Sequence, residues 1–355
     1  MLERERFVCL LSGLLSLLLC LVAVRDVAHA QSVSPPPAEW ISSHARDHAL
    51  AGKIWSRERA GFITHESLIR TLMAATFVLL GEVHDNTDAH ALQSWAITQM
   101  KNLREQQAKS APLAAVVFEH IRTDQKDALA RFDQLEREAR GSATTSDLFR
   151  LLDWGKSGWP AEETFQRLFQ SVLRDVAIYP ANPPRDQVRV VARGEASALP
   201  AEERARIMLD APLDAPLSEA LTAELKGSHC GMTPDAAIPA MGIAQRYRDA
   251  ALADAMLTAA RQHGAAILVA GNGHVRTDRA VPWYLRQRAP DRSVVSVMML
   301  EVEDGKVDPA TYVPGDPDGK PAADFVIFTP RAERPDPCES LRQGAQKKGL
   351  WVTRQ

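Results

Sequence analysis

Thr76-Phe77-Val78-Leu79-Leu80 runs directly into Gly81-Glu82-Val83-His84-Asp85-Asn86. The first five residues form a short, nearly continuous apolar run, the pattern of a parallel strand covered on both faces. A helical pattern from Ala89 to Leu103 follows. Leu113 to Phe118 repeats the arrangement, with Glu119-His120 at its end and a helical pattern from Lys126 to Ala139 behind it. Val188 to Val191, Ala265 to Ala270, Val294 to Leu300 and Phe325 to Phe328 read as further strands. Strand, loop and helix in alternation predict an α/β fold with a mostly parallel sheet flanked by helices. Residues 141–264 are richer in helix and in Pro, and read as a helical insertion lidding the strand carboxyl ends, with the strand at Val188 softening its boundary.

The chain ends read differently. Arg4 and Arg6 precede an apolar run from Phe7 to Val24, and Ala28-His29-Ala30 has the small-x-small form of a signal-peptidase site, so residues 1–30 read as a signal peptide and the protein as exported. The run also suits an uncleaved anchor. Cys20 would suit a lipoprotein, but Leu19 stands where a lipobox has a small residue. Residues 31–45 read as a linker, 46–330 as the folded domain and 331–355 as a Pro-rich tail. Hydrophobic residues at 45%, charged residues at 25% and a net charge of −3 describe a globular chain without the basic stripe that nucleic acid requires. With the leader gone, Cys230 and Cys338 are the two cysteines left, a candidate disulfide in an oxidising compartment, with two buried thiols as the alternative.

In open parallel sheets, ligands bind outside the carboxyl ends of the strands. Three such ends share one chemistry: Glu82 and His84, then Glu119 and His120, then Gly271-Asn272-Gly273-His274. Imidazole and carboxylate are ligands for zinc, manganese or iron, and alternation puts Glu82 and His84 on one side. Asp85 or Asn86 suits the role of helix cap. Further along, Ser228-His229-Cys230-Gly231-Met232 precedes a helix from about Ala237 to Gln262. Its stripe of Met241, Ala244, Arg248, Ala251 and Ala255 holds an Arg that needs either an internal carboxylate or a ligand carboxylate. No Gly-x-Ser-x-Gly elbow, His-Glu-x-x-His or Gly-rich dinucleotide loop is present.

Leu80 to Asn86, Phe118-Glu119, Asp153-Trp154-x-x-Ser157-Gly158-Trp159-Pro160, His229-Cys230-Gly231, Gln245-x-x-Arg248-Asp249 and Ala270 to Arg276 together resemble the ChaN family of bacterial haem-binding uptake proteins. The resemblance runs in order from about residue 70 to 330 and makes 46–330 a ChaN-like domain. It implies haem as the cofactor, bound by Glu82, His84, His229 and His274 with Arg248 or Arg276 toward the propionates. It also implies iron acquisition from the periplasm or outer membrane, with a membrane transport system as partner, and leaves a homodimer open. The wider Tiki and erythromycin-esterase-like group implies an alternative. There Glu82, His84 and His274 hold a divalent metal ion for hydrolysis, and Glu119 or His229 moves protons. Two departures stand out: Thr87 and Ala89 leave His90 alone where the family has paired His, and Phe165 stands where many relatives carry Tyr.

Overall fold

The computed structural model describes residues 33–37, 39–107, 115–174, 176–336, 338, 339 and 342. The expected signal peptide and most of the tail lie outside them. The unit from Pro35 onward is the one considered below. Among the described residues, no helix is long and apolar enough to cross a membrane.

Eight strands form one sheet: β1 (Ile54–Ser56), β2 (Gly61–Ile63), β3 (Phe77–Glu82), β4 (Ala115–Arg122), β5 (Ile178–Asn182), β6 (Ala266–Gly271), β7 (Val294–Glu301) and β8 (Phe325–Thr329). Their order is β2-β1-β8-β7-β3-β6-β4-β5. The six strands from β8 to β5 run parallel, while β1 is antiparallel to both β8 and β2. Helices flank the sheet, as the alternating pattern predicts: α1 (His65–Ala74), α2 (Thr87–Gln107), α3 (Lys126–Glu138), α4 (Thr145–Leu151), α5 (Glu162–Gln170), α6 (Arg185–Ala192), α7 (Ala201–Arg206), α8 (Ala215–Ser228), α9 (Ile238–His263) and α10 (Val281–Arg288). The apolar runs of β3, β4 and β6 are buried throughout, because helices on both faces exclude water from them.

One expected strand is corrected. Val188 to Val191 lies inside α6, and the strand of that region is Ile178–Asn182. Val188 is half-buried and Val191 buried while Arg189 between them is exposed, which is helical rather than strand spacing. Pro180 disguises β5, but β5 pairs only with β4 at the sheet edge, where a missing N–H breaks no ladder. Residues 141–264 therefore carry six helices, α4 to α9, together with one strand of the main sheet.

The strand order positions the site. β6 lies between β3 and β4, so the carboxyl ends of all three are neighbours, with Glu82 in register with Gly271. Two glycines are dictated by close approach. A Cβ on Gly81 would stand 2.6 Å from Val275 Cγ2, and one on Gly271 would stand 2.9 Å from His84 Cε1. Asn272 pins the turn after β6 onto β7, donating from Nδ2 to Met299 O at 2.7 Å and accepting from Met299 N at 3.2 Å.

Candidate functional site

Glu82, the last residue of β3, is fully buried and ringed by three imidazoles. Its Oε1 lies 2.7 Å from His84 Nδ1 and 2.9 Å from His120 Nε2, and its Oε2 touches His90 Nε2. His90 reaches it from the first turns of α2, a helix started by Asn86, whose Oδ1 accepts from Ala89 N at 3.0 Å. Adjacent strand residues face opposite sides of a sheet. His120 accordingly points toward Glu82 while Glu119 points away. An aromatic wall closes the cluster: the Phe165 ring lies 4.1 Å from His90 and 4.8 Å from His120, and the Trp159 ring 4.8 Å from His84. Trp159 Nε1 also donates to His120 O at 3.0 Å. Burial works against ionising Glu82, but the surrounding His90 and His120, with hydrogen bonds from His120 and His84, hold it far below the usual carboxylate range. Burial pulls His90 down to about 4 against the attraction of Glu82, so it is neutral at pH 7. Glu82 Oε2 and both ring nitrogens of His90 have no partner with hydrogen-bond geometry among the described residues.

The second cluster gathers around Glu119 on the other face of β4. Oε1 accepts from Arg248 Nη2 at 2.6 Å and lies 3.2 Å from His274 Nε2, while Oε2 accepts from Gly271 N at 2.8 Å. His274 Nδ1 is 2.6 Å from Asp249 Oδ1. Burial opposes charging His274, yet Glu119 and Asp249 on either side raise it to about 9. Glu119 is driven well below its ordinary value: burial is outweighed by the charges of His274 and Arg248. Burial pushes Asp249 up despite His274. His274 is therefore a clamped imidazolium with both ring nitrogens engaged, and the group whose donor atoms converge is Glu82, His84 and His120, all within 4.8 Å of one another. Arg248 takes its partner from inside the protein, donating to Glu119 and from Nε to Asn182 Oδ1 at 3.3 Å.

His84 joins the two clusters and opens to solvent, its side chain 38% exposed. Burial lowers its proton affinity, but the hydrogen bond to Glu82 and the charge of Glu119 raise it overall. His229, at the end of α8, is half-buried and makes local hydrogen bonds, with Nδ1 at 2.8 Å from Leu225 O. Arg276 is buried against Asp278 at 2.6 Å and donates to Gly315 O at 3.0 Å. Cys230 and Cys338 are joined by a disulfide with a Cα separation of 5.6 Å. The tail segment that precedes it is tied down by Arg334, which grips Asp85 at 2.6 Å and Glu301 at 2.6 Å. The tail therefore links the loop after His84 to the loop after His229.

Sequence reading did not place His90, Asp249 or the aromatic wall in the site. Spacing offered one usable signal, since the first turns of a helix following a strand point back toward the strand's end. A cleft of about 720 Å³ lies elsewhere, beside β5, lined by Tyr179, Tyr247, Arg206 and Asp254, and it includes none of the Glu/His groups.

The family model described as haem-binding uptake, Tiki superfamily, ChaN matches residues 68–285, more than half of the chain. A solved structure described as cofacial haem binding to ChaN of Campylobacter jejuni is similar at a TM-score of 0.57 and 17% identity, covering 77% of this chain and 95% of that one. A structure of the type III effector HopBA1 is a more distant match, with a TM-score of 0.39, 12% identity and coverage of 75% and 92%. Among curated proteins, nothing matches. The long family match, carried on a fold of the same kind, makes this chain a member of the haem-binding uptake family of ChaN type, within the Tiki superfamily.

Proposed function

We propose that this protein binds haem at the strand carboxyl ends, with His84 as the iron ligand, and that it does so after export, in the service of haem uptake. One observation carries the reading. His84 is the partly exposed imidazole of the site, and its Nδ1 is committed to the buried carboxylate of Glu82, which leaves Nε2 as the ligating nitrogen. A carboxylate behind a ligating imidazole fixes its tautomer and orientation and strengthens it as a donor. Gly271 makes room for that ring, since a Cβ there would lie 3.1 Å from His84 Nε2. His229 shows the same disposition, Nδ1 on a backbone carbonyl and Nε2 left over, so it would be a second candidate imidazole for the group. Bound haem would supply an iron centre that takes an imidazole as a ligand.

The residues fit the group unevenly. Arg276 is already neutralised by Asp278, so it suits no propionate. Arg248 is better placed but shares its charge with Glu119. Hydrolysis with Glu119 as a proton carrier is less well supported, because both its oxygens already accept from Arg248 and Gly271 N. Export rests on the leader pattern, and the disulfide agrees with an oxidising compartment. Hand-over to a membrane transport system follows from the same reading.

Haemin titrated into the purified protein should give a saturable Soret shift, which a His84→Ala variant weakens by at least about tenfold in affinity. A flat titration at micromolar protein removes haem from the account. Unchanged affinity in the variant removes His84 as its ligand.

A further inference from the structure

Helix α8 leads into His229, yet it is thinly packed. Of its 14 residues Leu221 alone is buried. With Leu225 it rests against Gly242 of α9, where a Cβ would stand 3.8 Å from either side chain. So little buried apolar surface holds a helix weakly. The stronger attachment is ionic: the Glu224 carboxylate grips Arg279 Nη2 and lies 3.7 Å from Arg276 Nη1. Both guanidinium side chains are almost wholly buried, at 4% and 5% exposure, whereas Glu224 is 44% exposed. The two arginines share Asp278, to which Arg276 donates from Nε at 3.0 Å and Nη2 at 2.6 Å, and Arg279 from Nη1 at 3.0 Å. Two positive charges thus face one fixed negative charge, and Glu224 cancels the remainder from the solvent side.

This pair borders the site. A Cβ on Gly273 would stand 3.9 Å from Glu224 Oε1, just as one on Gly271 would stand 3.1 Å from His84 Nε2. The two glycines are two residues apart, so their Cα atoms are within about 7 Å of each other. We propose that Arg279 is the seat for a carboxylate of the ligand, and that Glu224 occupies this seat in the free protein. The inference rests on the haem reading, since haem brings two propionates to the strand ends. A buried guanidinium stripped of its anion is strongly destabilising, so Arg279 releases Glu224 only to another anion. A ligand carboxylate is the natural replacement, because its two oxygens match the guanidinium fork. Arg276 stays with Asp278, which it meets through two nitrogens. The exchange frees the middle of α8 while the bridge from Cys230 to Cys338 retains its end. A macrocycle without carboxylates offers nothing in place of Glu224, so the pair selects for the acid form of the ligand.

Glu224→Gln is the informative variant, since the position is partly exposed and the change preserves size. In the ligand-free variant, amide exchange across residues 217–228 should rise about threefold or more at unchanged circular dichroism. Haemin should bind it about threefold or more tighter than wild type in Soret titrations, because the propionate no longer competes with Glu224. Haemin dimethyl ester, with both propionates masked, should bind wild type roughly tenfold more weakly than haemin. Arg279→Gln should bind the two compounds alike, and Arg279→Lys should recover part of the preference. Because Arg279 is buried and its variants can misfold, the Glu224→Gln and ester titrations decide by themselves. Wild type that binds haemin and its ester equally overturns the proposal and leaves haem binding intact. Unchanged exchange or unchanged haemin affinity in Glu224→Gln does the same. A chain that binds neither compound fails the haem reading first, and the carboxylate seat with it.

Discussion

Breaking the bridge between Cys230 and Cys338 tests how the tail is held to the site. The cysteines are 108 residues apart in sequence, so the bridge closes a long loop in the unfolded chain. In the chain-entropy relation, a loop of that length is worth about 5 kcal/mol, an upper bound when the unfolded chain keeps some structure. With an unfolding entropy of roughly 2.1 cal/mol/K per residue over roughly 300 residues, that bound corresponds to a fall in Tm of about 8 °C. A Cys338→Ser variant, or wild type with a dithiol reductant, should melt between about 3 and 8 °C lower, measured by circular dichroism or calorimetry. Local behaviour should differ along the strap. Arg334 holds its neighbourhood through Asp85 and Glu301 whatever the state of the sulfurs, so amide exchange should rise at residues 225–232 and stay unchanged at 84–86. Equal melting with and without reductant, or two free thiols in protein taken from an oxidising compartment, would refute the argument.

Two further outcomes follow from the site. Gly271→Ala places a Cβ 2.9 Å from His84 Cε1 and 3.6 Å from Glu119 Oε2, so His84 must turn away. Haemin titration should show at least a tenfold loss of affinity, with stability reduced by about 1–3 kcal/mol in denaturant melts. His274 is raised to about 9 by Glu119 and Asp249, against burial. A proton affinity raised above the unfolded value of roughly 6.5 contributes stability that is complete below that pH and is lost as pH climbs toward 9. Denaturant midpoints should therefore fall between those two pH values, and His274→Gln should flatten that fall. An unchanged slope in the variant would remove His274 as its source.

Much of this architecture was legible locally. Phe77–Glu82 and Ala266–Gly271 are largely apolar runs buried along their whole length, and Val294–Glu301 is buried over its middle, Ser296–Met299; such burial writes itself into sequence as continuous hydrophobicity. Ile178–Asn182 was not legible, since Pro180 argues against a strand unless its place at an edge is already known. Val188 to Val191 misled because a short apolar run carries too few residues to separate a period of two from one of 3.6.

Glu82, His84, Glu119 and His274 could be picked out from the chain alone, because each comes just after an apolar run that reads as a strand and carries the chemistry of a ligand or a proton carrier. Their partners could not. Placing β6 between β3 and β4 brings Glu119 to Gly271 and His274, while strand alternation turns His120 the other way to share Glu82 with His90. Arg248 and Arg276 looked alike as candidates for a ligand carboxylate, and folding gave each an internal one, Glu119 and Asp278. Residue type and periodicity are local properties that the sequence states outright. Which imidazole meets which carboxylate depends on strand order and on contacts between residues more than a hundred positions apart, such as Glu119 and Arg248 at a separation of 129, and only the assembled sheet determines those.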